Sequence, residues 1–283
     1  MTKLLVCIDG SAYADNITTN AAWAAKRLGA KVDLLHVLRR HSDYQAPHED
    51  HTGAIGLGAR SDLMAELTKV DEERGKLDQQ KGRLILDHAK AELNKAQVTD
   101  VNLLHRRGSV AETIQELEAE ADMIFIGKRG EQANTESEFL GSNLEKVARS
   151  IHKPLFLVSR YMRPINKFLI AFDGKDNAQK AVDFACTSPL LKGLECHIIT
   201  VGQDQPKNTD AATAQLKEAG FTVNAHHEAD GNVEDVIQAY VESNGMDLLL
   251  AGAYSHSRML TMILGSTTAK LIKSCHVPVI LFR

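Results

Sequence analysis

The sequence predicts two α/β domains in tandem, each a doubly wound parallel sheet of five strands. Three observations carry that prediction. Short apolar runs alternate along the chain with stretches of helical spacing, the pattern of strand–helix–strand crossovers. Five blocks of the first half recur in the same order in the second, which marks a duplicated unit. The length of 283 residues suits two domains of about 100–200 residues each.

Residues 3–8 are an apolar run that stops at Asp9, Gly10 and Ser11, a strand running into a polar turn. Residues 14–28 place Ile17, Ala21, Ala24, Ala25 and Leu28 at helical spacing, and Gly29 supplies the stop. Trp23 in this alanine-rich helix reads as core packing. Residues 31–37 form the second strand, so the crossover is parallel and right-handed. Further strands are expected at 101–105, 123–126 and 155–158. Their near-continuous Val, Ile, Leu and Phe content suits a sheet covered on both faces.

The second half repeats this order. Residues 167–175 match 3–11, and residues 194–201 match the second strand, so that Val201 falls on Val37. Residues 230–237 match 107–114, 247–252 match 122–127, and 276–282 match 152–158. The domains are therefore expected at 1–160 and 167–283, joined by a short linker containing Pro164. His226 and His227 fall on a third strand, one facing each way.

The first half carries an insertion over about residues 39–82. Its opening part is polar and aperiodic, a loop. From Ser61 onward Leu63, Met64, Leu67 and Val70 sit among dense Glu and Lys, a long charged helix running through Leu84, Ile85 and Leu93. Gly75 and Gly82 are candidate breaks in it.

Composition narrows the functional classes. Apolar content of 43% and charged content of 25% are ordinary for a soluble globular protein. A net charge of −4 gives no bulk attraction to nucleic acid. No apolar run approaches the ~20 residues of a membrane span, and the apolar run after Lys3 is too short for a signal peptide. Cys7, Cys186, Cys196 and Cys275 are scattered, as in a reducing cytosol. A cytoplasmic location is therefore expected.

The segments most suited to chemistry follow the fourth strand of each half. Residues 247–251 are apolar, Gly252 opens a small-residue loop with Ser255, and Gly265, Ser266, Thr267 and Thr268 begin the next helix. Upstream, Gly127, Gly130, Gly141, Ser142 and Asn143 repeat the arrangement with one extra residue of spacing. A helix N-terminus offers free amide N–H groups and a favourable dipole to a phosphate, and glycines let backbone approach it closely. Neither segment is a Walker A loop, since no Gly-Lys-Ser/Thr follows. In parallel α/β sheets ligands bind beyond the carboxyl ends of the strands. Asp9, Val37 and Gly127, and equally Asp173, Val201 and Gly252, stand at those ends.

These loops resemble the Gly-x2-Gly-x9-Gly-Ser/Thr signature of the universal stress protein family, with Ser255 in place of the second glycine of the downstream copy. The resemblance covers nearly the whole chain as two family domains. It implies Rossmann-like domains of the adenine nucleotide alpha hydrolase-like kind, paired within the chain as a pseudo-dimer through residues 154–160 and 278–283. It also implies ATP, or AMP or ADP, with Mg as a companion, in an ATP-binding regulatory protein of the stress response. By resemblance the downstream site is Asp173, Val201, Gly252, Ser255, Gly265, Ser266, Thr267 and Thr268. The upstream site is Asp9, Val37, Gly127, Gly130, Gly141, Ser142 and Asn143. Partners are then an adenine nucleotide and an unidentified protein, with a homodimer as a further expectation. Some relatives keep the fold and bind no ATP, which leaves a dimerisation or interaction module as the alternative.

The upstream loop differs in charge. Glu131, Glu136 and Glu138 would repel a triphosphate, with Lys128 and Arg129 placed to offset them. Asp9 and Asp173 can equally cap the following helix, as can Ser266. His256 and Arg258 are either phosphate contacts or solvated side chains. His41, His48 and His51, with Asp43, Glu49 and Asp50, match no closed metal motif. No catalytic constellation is visible, so an enzyme, at most a slow ATPase, is the weaker reading.

Overall fold

The computed structural model describes residues 1–38, 57–130, 142–160, 163–253 and 266–283. The first half runs β1 (Lys3–Cys7), α1 (Ala14–Leu28), β2 (Lys31–Leu38), α2 (Leu57–Lys95), β3 (Val101–Arg107), α3 (Val110–Leu117), β4 (Met123–Gly127), α4 (Ser142–Ser150) and β5 (Leu155–Val158). The second runs β6 (Lys167–Ala171), α5 (Asp176–Thr187), β7 (Glu195–Val201), α6 (Thr209–Glu218), β8 (Val223–Glu228), α7 (Val233–Ser243), β9 (Leu248–Gly252), α8 (Ser266–Ser274) and β10 (Val279–Phe282).

The two halves share one ten-stranded sheet of order β3-β2-β1-β4-β5-β10-β9-β6-β7-β8. Every pairing within a half is parallel. Among the described residues the single antiparallel pairing joins the halves, with Leu155, Phe156 and Leu157 opposite Leu281, Ile280 and Val279. The last strands thus meet, as the resemblance implies, and the strand order reads the same from either edge.

Residues alternate between two apolar layers. Leu4 and Val6 face α1 and α2 on one side, where Ile17, Leu86 and Leu93 bury, together with Val182 of α5 and Leu216 of α6. Leu5 and Cys7 face the other side, with Ile114 of α3, Val147 of α4, Ile237 of α7 and Ile272 of α8. The first layer runs unbroken across the junction, since Phe156, Phe168 and Ile280 belong to it alike. Phe156 stacks on Phe125 at 4.6 Å, and Trp23 meets it edge-on at 6.4 Å.

Gly29 ends α1 in the left-handed region at φ 57°, as its position predicts. His226 lies 5.1 Å from the Tyr240 ring on one face, while His227 Nδ1 is 2.9 Å from Thr200 Oγ1 on the other. All four cysteines are free. Among the described residues no helix is long and apolar enough to cross a membrane.

Helix α2 is the long helix expected, and its 39 residues continue through both candidate breaks, Gly75 and Gly82. A glycine in a helix costs about 1 kcal/mol, and burial of Leu86, Ala89 and Leu93 outweighs it. Gly82 is also needed. A Cβ there would stand 2.5 Å from His105 Nε2 and 2.6 Å from His36 Cδ2, so only glycine lets the helix lie this close to β2 and β3. At Gly75 the nearest atom would be Arg107 Nη2 at 3.8 Å. Gly75→Ala is therefore expected to stabilise by about 0.5–1 kcal/mol, and Gly82→Ala to destabilise by about 1–2 kcal/mol. Urea unfolding of the two variants checks the opposite signs.

Candidate functional site

The order β2-β1-β4 sets the end of β1 beside the end of β4, where the chain's direction of winding reverses. That is the crevice where parallel α/β sheets take ligands. Beyond β1, the Ile8 carbonyl accepts a hydrogen bond from His36 Nδ1 at 2.9 Å, which fixes the start of the turn. Asp9 Oδ1 then accepts from the Ser11 amide at 3.0 Å, and Ser11 Oγ from the Tyr13 amide at 3.3 Å. Asp9 thus shapes the turn that launches α1, and its other oxygen faces Gly130. A Cβ on Gly130 would lie 3.0 Å from Asp9 Oδ2.

Gly127 ends β4 under the first turn of α1. A Cβ there would approach the Arg129 carbonyl to 2.9 Å and Tyr13 Cβ to 3.2 Å. Val37, half-buried near the end of β2, pairs with Arg106. Ser142 and Asn143 begin α4. Gly141, Glu131, Glu136 and Glu138 lie outside the described residues. The structure therefore brings Asp9, Gly127 and Gly130 to one crevice.

In the second half Asp173 Oδ1 accepts from the Lys175 amide at 3.1 Å, the same turn as at Asp9. Neither aspartate caps its helix in the strict sense: Tyr13 and Lys175 hold the cap positions before α1 and α5, with no side-chain cap. Val201 ends β7 opposite Glu228. Gly252 ends β9, and a Cβ there would stand 2.9 Å from the Ala178 nitrogen and 3.0 Å from Asn177 Cβ. Asn177 Nδ2 donates to the Ala253 carbonyl at 2.5 Å, holding α5 against this strand end. Ser266, Thr267 and Thr268 open α8. Ser255, Gly265, His256 and Arg258 lie outside the described residues, as do His41, His48 and His51. Among the described residues no cluster of His, Cys, Asp or Glu is arranged to hold a metal ion.

The two halves differ beside the aspartate. In the first, a cleft of about 330 Å³ opens between Asp9, Ser11 and Ala14 on one wall and Lys81, Leu84 and His88 of α2 on the other. His88 Nε2 lies 3.3 Å from Asp15 Oδ1 across it. In the second half, Pro206 and Asn208 fill the matching space at Gly174, with Asn208 Nδ2 donating to its carbonyl at 3.0 Å. Nothing in the sequence repeat signals that α2 walls the first cleft, because the insertion has no counterpart to compare.

Lys128 corrects an expectation. It does not line the upstream loop as a cation for phosphate. Its side chain is buried and donates to the Cys275 carbonyl at 2.6 Å and the Val277 carbonyl at 2.8 Å, beyond the end of α8 in the other half. Burial pulls its pKa down to about 8. Burial also pushes the thiols of Cys7, Cys196 and Cys275 upward, so none of these is an activated nucleophile.

Comparison with known proteins matches these features. The model of the universal stress protein family fits residues 1–159 and 200–283. A curated relative, universal stress protein Slr1230 of Synechocystis sp. (strain ATCC 27184 / PCC 6803 / Kazusa), is 36% identical over 288 residues, covering 100% of both chains. Among solved structures, a universal stress protein from Archaeoglobus fulgidus DSM 4304 superposes with a TM-score of 0.70 at 22% identity, over 99% of this chain and 98% of that one. A putative universal stress protein from Pseudomonas aeruginosa UCBPP-PA14 gives 0.58 at 15% identity, over 100% and 93%. These two show the shared fold. On the family match and the end-to-end curated relative, the chain belongs to the universal stress protein family.

Proposed function

We propose that this chain is a cytoplasmic ATP-binding regulatory protein of the stress response, built of domains at 1–160 and 167–283. In this reading nucleotide, with Mg, sits at the strand ends. Asp9, Val37, Gly127, Gly130, Gly141, Ser142 and Asn143 hold it in the first half. Asp173, Val201, Gly252, Ser255, Gly265, Ser266, Thr267 and Thr268 hold it in the second. One observation carries it: Asp9 Oδ2 lies beside Gly130 at the switch point between β1 and β4. A carboxylate suited to ribose hydroxyls and a glycine loop suited to phosphate thus share one crevice. Bound nucleotide would present a different surface to a protein partner.

A second reading, an interaction module that takes no nucleotide, is favoured at Gly252. Close packing of α5 already explains that glycine, with backbone 2.9 Å from its would-be Cβ. Mass spectrometry of the supernatant from heat-denatured, freshly purified protein separates the two. Released ATP, ADP or AMP is expected, with a rise in Tm of about 5–10 °C in Mg-ATP at a hundredfold over Kd. No released nucleotide together with an unchanged Tm overturns the nucleotide reading and leaves the interaction module. Steady product formation over many turnovers would instead mark an ATPase.

A further inference from the structure

Four of the six large apolar side chains that stand exposed among the described residues lie on α2. Leu67, Val70, Leu77 and Leu84 are each more than half exposed. Val70, Leu77 and Leu84 follow one another at intervals of seven, Leu67 sits three before Val70, and Leu63 extends the series in sequence. A seven-residue apolar interval is the seam of a coiled coil. Helix α2 is 39 residues long, about 58 Å at about 1.5 Å per residue. At about 100° per residue, Leu84 lies roughly opposite Leu86 and Leu93, which are buried on the sheet. The stripe therefore points away from the sheet.

The edges that pair β5 with β10 are already joined within the chain, so the exposed stripe is a separate surface. We infer that α2 pairs with α2 of a second copy of this chain as a short antiparallel coiled coil. Charge selects both the partner and the direction. The seam alternates Val70, Leu77 and Leu84 with Leu67, Arg74 and Lys81, and its flanks carry Glu66, Asp71, Glu73 and Asp78. Parallel pairing would set Arg74 on the partner's Arg74 and Lys81 on the partner's Lys81, like charges in contact. Antiparallel pairing centred between Arg74 and Leu77 sets Leu67 on the partner's Leu84, Val70 on the partner's Lys81, and Arg74 on the partner's Leu77. Each cation then lies over an apolar residue with the partner's carboxylates at its sides, Lys81 near the partner's Asp71 and Arg74 near the partner's Asp78. One helix supplies both halves of that complementarity, which makes a second copy the fitting occupant. The stripe also runs into the cleft between α1 and α2, where Lys81, Leu84 and His88 face Asp9 and Ser11, so the partner's helix would cross the mouth of that cleft. The inference does not depend on nucleotide being bound.

Sedimentation equilibrium of the full chain tests it. The expected result is a species of twice the 31.1 kDa chain mass at about 100 μM. The double variant Val70→Glu with Leu77→Glu should weaken the dimer at least about a hundredfold, with a thermal transition unchanged at concentrations where both proteins are monomeric, because both side chains are exposed. Oxidation should cross-link the variant carrying Val70→Cys and Lys81→Cys between chains, and should not cross-link Leu84→Cys to itself, since antiparallel pairing sets the two copies of that position about 25 Å apart. A monomeric wild type, or a double variant as dimeric as the wild type, overturns the proposal. Self-cross-linking of Leu84→Cys overturns the antiparallel arrangement.

Discussion

Phe156→Ala is expected to destabilise the protein by about 3–5 kcal/mol, the cost of emptying a filled aromatic site in a close-packed core. Phe156 has no exposed surface, stacks on Phe125, and pairs through its backbone with Ile280 of the other half. The layer it belongs to continues from Val6 and Ile17 through the junction to Phe168 and Val182. The loss should therefore lower one shared unfolding transition rather than split it in two. Calorimetry of wild type and variant measures this; a variant whose second-half transition stays at the wild-type temperature would show the halves to be energetically separate.

The second large effect is at Lys128. Lys128→Ala removes two hydrogen bonds to buried carbonyls and leaves space where the stem lay, for an expected cost of about 2–4 kcal/mol at pH 7. Lys128→Met fills the stem and relieves the buried charge, which offsets the two unpaired carbonyls, and should cost about 1 kcal/mol. The pH dependence separates charge from packing. The folded lysine releases its proton at about 8, the free one at 10.5. Between those values the unfolded chain binds more protons, so stability rises with pH. From about pH 8 upward the buried thiols of Cys7, Cys196 and Cys275 act in the opposite sense, since folding holds them protonated, and they do so in wild type and variant alike. The difference in stability between wild type and Lys128→Met therefore isolates Lys128, and from about pH 8 to 9 it should shift by about 1 kcal/mol in favour of the wild type. Urea unfolding at the two pH values decides it.

Much of the architecture was legible because it was written twice. The paired blocks located both sets of strands, and the family resemblance anticipated that residues 154–160 and 278–283 would meet, though not that they would run antiparallel. The stop at Gly29 and the opposite facing of His226 and His227 follow from local backbone rules and hold in the fold. What escaped depended on distant neighbours. A lysine directly after a strand end reads as a solvated cation, and only the carbonyls beyond α8, over a hundred residues away in sequence, make it a buried one. Gly75 and Gly82 are candidate breaks on local propensity, and which way they go is decided by the sheet packed under α2, which is not local. At the strand ends, the sequence located Asp9 and Gly130 separately, and their contact appears only once β1 and β4 lie side by side. The filling of the space at Gly174 by Pro206 and Asn208 had no signal, because loop contacts carry no period.

Fusing the mating strands into one polypeptide removes subunit exchange. Dilution cannot part β5 from β10, and a mixture of two variants cannot form hybrid pairs, since each edge meets its mate at a fixed, high effective concentration. A dimer of identical chains must accept every substitution on both sides of its axis. Here each side drifts alone, and the lysine at 128 facing across the axis while its counterpart is Ala253 is the mark of that freedom.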